Sequence, residues 1–470
     1  YLIECPCCET AQPGREEEVK AKKEAEKAKE EASKPKFNFL APGGGFQMPG
    51  AGATSNASTG FTFGQNAAAS TPAQGGFVFG QPATEKKEEE AKPSPFAGFS
   101  FGGSSSTNST FGSGVQTLTT TSSQEQSDSD ELTFDGQGLK LNTGADAQIV
   151  ADKITSFANG KMKILTLSGN TIGIDAANEI GKALESRSEL ERAHWKDMFT
   201  GRMKTEIPPA LKHMGNGVMK AGADLVELDV SDNAFGPIGV EGIVDLLKSP
   251  ACRTLQELKL NNTGCGVTGG KLLAKTLLEA YHESVKVDAN HPFGLRVFIL
   301  GRSRQENEGG KALAEVFKLM GTLEEVVMPQ NGIYHVGIEA LADAWGNNPN
   351  LRILNINDNT LTEKGAKHLA VALKKLKHLE VLNIGDCLLK TSGALLIAEA
   401  LKESGAVKLQ ELYMDSNEIR IEGGLAIVEA VKSSPNLKIL MLDGNQFGDD
   451  GCSKIEQILK DSGKSHIMEE

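Results

Sequence analysis

Cys5 and Cys8 form a CxxC pair, the spacing that can supply two thiolates to a tetrahedral zinc ion. Closing such a site needs a second pair, and none follows at suitable spacing. A truncated finger with idle cysteines therefore explains them at least equally well, and Cys7 is an alternative ligand. The other cysteines, Cys252, Cys265, Cys387 and Cys452, stand singly where small apolar residues are expected, which reads as a reducing compartment without disulfides. Arg202 lies in the polar insertion HWKDMFTGRMKTEIPPAL, where on spacing alone a guanidinium is usually just solvated. The chain offers no activated nucleophile, His/Asp pair, phosphate-binding glycine loop or internal metal constellation. Independent catalysis is not expected, and the repeat region should need no cofactor.

The insertion is positioned by a repeated unit. LVELDVSDNAFG, Leu225–Gly236, fits LxxLxLxxN, with Leu225, Leu228 and Val230 apolar and Asn233 turning the chain. Similar units begin at Met162, Leu190, Leu225, Leu255, Leu295, Leu323, Leu351, Leu379, Leu409 and Leu437, and five of the nine intervals are 28 residues. Alternation across Leu228 and Val230 predicts a short strand with one buried face, and Gly365–Leu376 predicts a helix with Leu369, Ala372, Leu373 and Leu376 on one side. The fold expected is an α/β leucine-rich-repeat horseshoe of the ribonuclease-inhibitor-like type, with strands inside and helices outside. LTFDGQGLKLN, Leu132–Asn142, should cap its first edge. The units from Leu190 and Leu255 are long, the second through HESVKVDANHPFG, and such insertions are expected in loops at one rim. Ser303, where the pattern expects Asn, should weaken one turn without reaching a site.

Everything before about Asp130 is poor in Leu, Ile and Val and is expected to stay disordered. The predicted division is a partial zinc-finger-like segment over 1–14, a charged spacer over 15–36, a disordered phenylalanine- and Ser/Thr-rich arm over 37–130, and the repeat domain over 131–470. A net charge of -13 argues against nucleic-acid binding through phosphates and suits a basic protein partner. No apolar run approaches a membrane span and no signal peptide is visible.

FTFG at Phe61–Gly64, FVFG at Phe77–Gly80 and FSFG at Phe99–Gly102 resemble the FG repeats of nuclear pore proteins. That resemblance implies weak, multivalent docking to transport receptors. CPCCETAQPG resembles the second half of a nucleoporin zinc finger, which would place zinc on Cys5 and Cys8. In the repeats, DMFTGRMKTEIPPAL, LVELDVSDNAFGP, LQELKLNNTGCG and GTLEEVVMPQNGI closely resemble the GTPase-activating proteins of Ran, over Leu132 to about Leu459. This resemblance implies that Ran-GTP is the partner and that GTP and magnesium belong to it. General phosphoryl-transfer logic would make Arg202 an arginine finger. The family instead holds Ran's own catalytic Gln in place, a role carried here to Asn262, with Asn261 competing for it. Arg202, Lys204, Asp232 and Asn233 then bind the partner, although Asn233 is equally explained as the repeat's structural asparagine.

Members of that family lack such an arm and reach the pore through a C-terminal domain, which is not present here; the arm either replaces that route or marks an artificial joining. The chain opens at Tyr1, as a fragment would. The expected location is cytoplasmic, at the nuclear envelope and the cytoplasmic face of the pore. The alternative is a non-catalytic nucleoporin-type scaffold with a repeat surface for a partner.

Overall fold

The structure is a computed structural model and describes residues 129–468. The cysteine pair, the charged spacer and the phenylalanine-rich arm lie outside the described residues. The strands are β1 (Glu131–Thr133), β2 (Lys140–Leu141), β3 (Ile164–Thr166), β4 (Thr171–Ile172), β5 (Arg192–His194), β6 (Glu227–Asp229), β7 (Glu257–Lys259), β8 (Val297–Ile299), β9 (Glu325–Val327), β10 (Ile353–Asn355), β11 (Val381–Asn383), β12 (Glu411–Tyr413) and β13 (Ile439–Met441). β2 and β4 pair separately; the others form one 11-stranded sheet in chain order. Every pairing is parallel, with the central residues of neighbouring strands in register, as Leu228 with Leu258 and Leu354 with Leu382.

From β3 onward those central residues are buried, as are apolar residues that precede and follow the strands, such as Leu225 and Leu260, while Leu132 of β1, at the sheet's edge, is half-buried. They fill the space between the sheet and the helices that return the chain. The helix Thr362–Leu373 buries Leu369, Ala370, Ala372 and Leu373 on one face, so its amphipathic stripe meets the strand row directly. It begins and ends earlier than the sequence suggests. Leu376 is buried beyond its end, in a turn whose Leu376 N–H reaches Leu373 O at 3.2 Å. Helices Ile174–Leu184 and Ile207–Ala221 approach closely enough that a Cβ on Gly217 would lie 2.1 Å from the Gly181 carbonyl oxygen. Both glycines are therefore required by contact, despite the propensity a helix loses with them.

A three-residue strand leaves backbone groups beyond its ends, and the next repeat satisfies them. Asn233 donates through Nδ2 to Trp195 O and Val230 O, each at 2.8 Å, and accepts the Met198 N–H at 2.8 Å. Asn170, Asn331, Asn359, Asn417 and Asn445 do the same kind of work. Asn233 is 1% exposed, and its three bonds are those of the repeat's structural asparagine.

Ser303 corrects a second expectation. Thr263 also stands at an asparagine position, and the two buried hydroxyls meet at 3.1 Å, while the Thr263 N–H reaches Ser303 Oγ at 3.3 Å. Ser303 thus touches the residue beside Asn262. The second long unit corrects a third. HESVKV continues the helix Gly266–Val287, and the following loop is fastened by the Phe293 N–H on Ser284 Oγ at 2.7 Å. This insertion lies at the helix-to-strand rim, opposite the loop that carries Arg202, because its apolar spacing extends a helix rather than a turn.

Removing the Asn233 amide strands the Met198 N–H and the Trp195 and Val230 carbonyls in a dry interior. Asn233→Ala should lose about 3 kcal/mol of stability, read as a lowered urea midpoint. A parental midpoint would return Asn233 to a role in partner contact.

Candidate functional site

The strand-to-helix rim is built by one conformational choice made in repeat after repeat. The residue just before the asparagine position is left-handed: Asp197 (φ 46), Asp232 (φ 57), Asn262 (φ 55), Arg302 (φ 50), Gln330 (φ 54) and Asp358 (φ 53). Its N–H donates to the next repeat, as Asp232 to Asn261 O at 2.7 Å and Asn262 to Gly301 O at 2.8 Å. Asp and Asn suit such a position because their short polar side chains tolerate left-handed backbone. Since the main chain makes the structural bond, the side chain is left to face the rim.

Asn262 is exposed there. Its Nδ2 donates to Asp232 Oδ1 at 3.0 Å, and Asp232 Oδ2 pairs with Lys196 Nζ at 3.2 Å. An ionised carboxylate only accepts, so the amide has one orientation in this contact: Nδ2 toward Asp232 and Oδ1 away from it. Lys196, Asp232 and Asn262 form a line across successive repeats. The spacing does not flag Lys196; its place is legible only as the position preceding the left-handed residue, one repeat before Ser231.

Asn261 is held differently. Its N–H donates to Ser231 Oγ at 3.0 Å, it is half-buried, and its Oδ1 occupies space that a Cβ on Gly301 would enter at 2.5 Å. Of the two neighbouring amides, Asn262 is the one presented to solvent.

Arg202 is tied back to its own chain. Nε donates to Thr171 Oγ1 at 3.2 Å, and Nη2 donates to Leu141 O at 3.1 Å and Thr171 O at 3.2 Å. The same loop is stapled by the Ile172 N–H on Met198 O at 2.9 Å and by Thr171 Oγ1 on Thr200 O at 2.7 Å. The guanidinium therefore fastens the loop onto the β2–β4 pair. Its neighbours point outward: Lys204 is exposed and Met203 is 68% exposed. Nothing in the repeat pattern signals Met203.

On the concave face beside the rim, charges neutralise one another. Glu227 is bonded by Arg192, by His194 Nε2 at 3.2 Å and by Lys259 Nζ at 2.5 Å, and Lys259 also reaches Glu257 at 2.9 Å. Burial acts to raise the Glu227 carboxyl, but the bonds from His194 and Lys259 outweigh it and hold it far below the carboxylate range. The bond to Glu227 raises His194 above its ordinary value. No group of His, Cys, Asp and Glu that could hold a metal occurs among the described residues, and no helix among them is long and apolar enough to cross a membrane. Burial pushes the Cys252 and Cys387 thiols up to about 12, so neither is a nucleophile at neutral pH.

Because its folded value is raised, His194 contributes stability in full below its ordinary 6.5 and loses it as pH rises through the folded value. Glu227, depressed when folded, contributes above its ordinary 4.5 and loses it as pH falls toward the folded value. Glu227→Gln should return the His194 titration, followed by NMR, toward the ordinary value. An unmoved His194 titration would refute the coupling.

The Leucine Rich repeat family matches residues 223–244, 347–370 and 433–455. The chain is 49% identical over 338 residues to Ran GTPase-activating protein 1 of Xenopus laevis, covering 72% of this chain and 57% of that protein. It is 50% identical over 324 residues to Ran GTPase-activating protein of Drosophila melanogaster, covering 69% and 54%. With Ran GTPase-activating protein 1 of Saccharomyces cerevisiae it shares 32% over 235 residues, covering 48% and 56%. It spans about half the length of these curated relatives. Fold and comparison together describe a leucine-rich-repeat solenoid similar to proteins named as Ran GTPase activators.

Proposed function

We propose that this chain accelerates GTP hydrolysis on Ran by holding the GTPase's catalytic Gln, with no chemistry of its own. The observation that carries this reading is the fixed outward acceptor of Asn262, oriented by Asp232 and Lys196. An N–H of the partner's Gln amide can donate to Asn262 Oδ1, restricting that side chain to the pose that aims the attacking water. GTP and magnesium come with the partner. The half-identity to proteins named as Ran GTPase activators supports the same reading. Arg202 acts as a fastener of the loop, since an arginine finger would first have to abandon its bonds to Leu141 and Thr171. Met203 and Lys204 are then the groups that meet Ran's surface, with Asp232 acting through Asn262.

Single-turnover hydrolysis by Ran at saturating chain tests the assignment. Asn262→Ala should lower the saturating rate by about a hundredfold or more while changing half-saturation little. Asp232→Ala should lower the rate less, and should add little in the Asn262→Ala background. Arg202→Ala should lower thermal stability and weaken half-saturation, with partial rescue at high concentration. A saturating rate that collapses for Arg202→Ala and survives for Asn262→Ala would reverse the assignment, and parental rates for both would end the activator reading.

We further propose that the phenylalanine-rich arm localises the chain at the cytoplasmic face of the nuclear pore through transport receptors, and that Cys5 and Cys8 are remnants of a zinc site. Single phenylalanines spaced by Gly, Ser, Thr, Ala and Asn support weak multivalent docking. Deleting Phe37–Gly112 should abolish capture by an immobilised transport receptor and leave hydrolysis in dilute solution unchanged. Equal loss of both would merge the two roles.

A further inference from the structure

The concave face is not uniform along the sheet. From β5 to β7 its charges are paired with one another, as described above. From β9 to β13 they are not: among the described residues, Glu325, Asp415 and Asp443 make no ion pair. The groove along the sheet has a volume of about 840 Å³ and reaches the candidate site, where Lys196, Asp232, Asn261 and Arg302 line it; over this half Ile353, Val381, Tyr413 and Met441 are among its lining residues. Burial raises the Asp415 carboxyl, and the nearby Asp386 and Asp443 raise it further. Gly385 makes room for this carboxylate, since a Cβ there would lie 2.4 Å from Asp415 Oδ1.

Two amides line the same groove in adjacent register, Asn355 beside Asn383. Each uses its oxygen locally: Asn355 Oδ1 accepts the Asn357 N–H and Asn383 Oδ1 accepts the Gly385 N–H, both at 3.1 Å. Those bonds fix the flips and turn both Nδ2 groups the other way. Neither Nδ2 donates to any group among the described residues, and neither is sealed from solvent, so both are open to the groove. Open amide donors and carboxylates without an ion pair, set side by side in one groove, are engaged together by one kind of ligand, a segment that brings both acceptors and cations.

We propose that the concave face from β9 to β13 binds an extended basic segment of another protein, whose backbone carbonyls accept from Asn355 and Asn383 while its lysines or arginines pair with Asp415 and Asp443. Its apolar side chains rest on Ile353, Val381 and Met441. An extended segment fits because its carbonyls are unpaired, whereas a helix has already engaged its own. Strand spacing gives this half a span of about 19 Å, room for several residues and more than a small cation needs. Phosphates are repelled by the same carboxylates, which excludes a nucleic acid.

The test uses the full chain and no GTPase, so it is independent of the hydrolysis reading. A fluorescent peptide of about ten residues, composed of lysine, valine and alanine, is titrated by anisotropy beside its counterpart with glutamate for lysine. The basic peptide should bind, increasingly weakly with salt, and the acidic one should not. Asp415→Asn combined with Asp443→Asn should weaken binding at least tenfold and flatten the salt dependence. Asn355→Leu should weaken it several-fold with the salt dependence intact, because it removes a neutral donor. Asp449→Asn with Asp450→Asn, acidic positions on the last helix, should change little. Parental affinity in the Asp415/Asp443 variant, equal weakening in the Asp449/Asp450 control, or binding of the acidic peptide would overturn the proposal. So would concentration-dependent self-association through this face, which would give it to a second copy of the chain.

Discussion

Backbone satisfaction between repeats is the constraint on which this structure depends. Each strand of the 11-stranded sheet is three residues long, too short to place all the polar groups around it in a ladder, and the turn that follows would bury several of them unpaired. The chain answers with side-chain amides at a fixed position and with a left-handed residue whose N–H crosses to the next repeat. No repeat completes this arrangement alone. Stability is therefore shared between neighbours, and the sheet, the buried leucines and the helices all follow from keeping that alignment.

The same constraint produces the candidate site. A left-handed backbone at Asp232 and at Asn262 directs successive side chains to one rim, so a carboxylate and an amide a repeat apart in sequence come within 3.0 Å. Lys196 extends the line by one repeat further. The loop carrying Met203 and Lys204 is brought to the N-terminal side of this rim by Arg202, whose bonds are to two main-chain oxygens and a threonine hydroxyl rather than to an acidic side chain. A cation that looks functional in sequence is thus engaged by its own chain, while the neutral amide of Asn262 faces solvent.

Much of this was legible in the residues and some was not, for reasons that differ. Leu225, Leu228 and Val230 are readable because burial imposes a period, and each is fully buried. The terminus of the helix Thr362–Leu373 was misplaced because Leu376 is apolar for the turn and not for the helix. Asn233 could be read two ways, since one residue type serves both a rim and a ladder, and only its bonds decide. Ser303 and Thr263 are each a departure from the pattern; that they compensate one another depends on register across a 40-residue repeat. The resemblance named Asn262 without saying what orients it, because the Asp232 contact exists only between repeats.

Asp, Asn, Arg and Gln all occupy the left-handed rim position, and in each case the fold takes from it a backbone N–H. Architecture and surface are therefore encoded by different atoms of the same residue. Sequence drift at these positions can rewrite what the rim recognises while leaving the repeat geometry in place, at the modest conformational cost of a left-handed non-glycine. An evolving solenoid of this kind carries a row of independently variable recognition letters, one for each repeat.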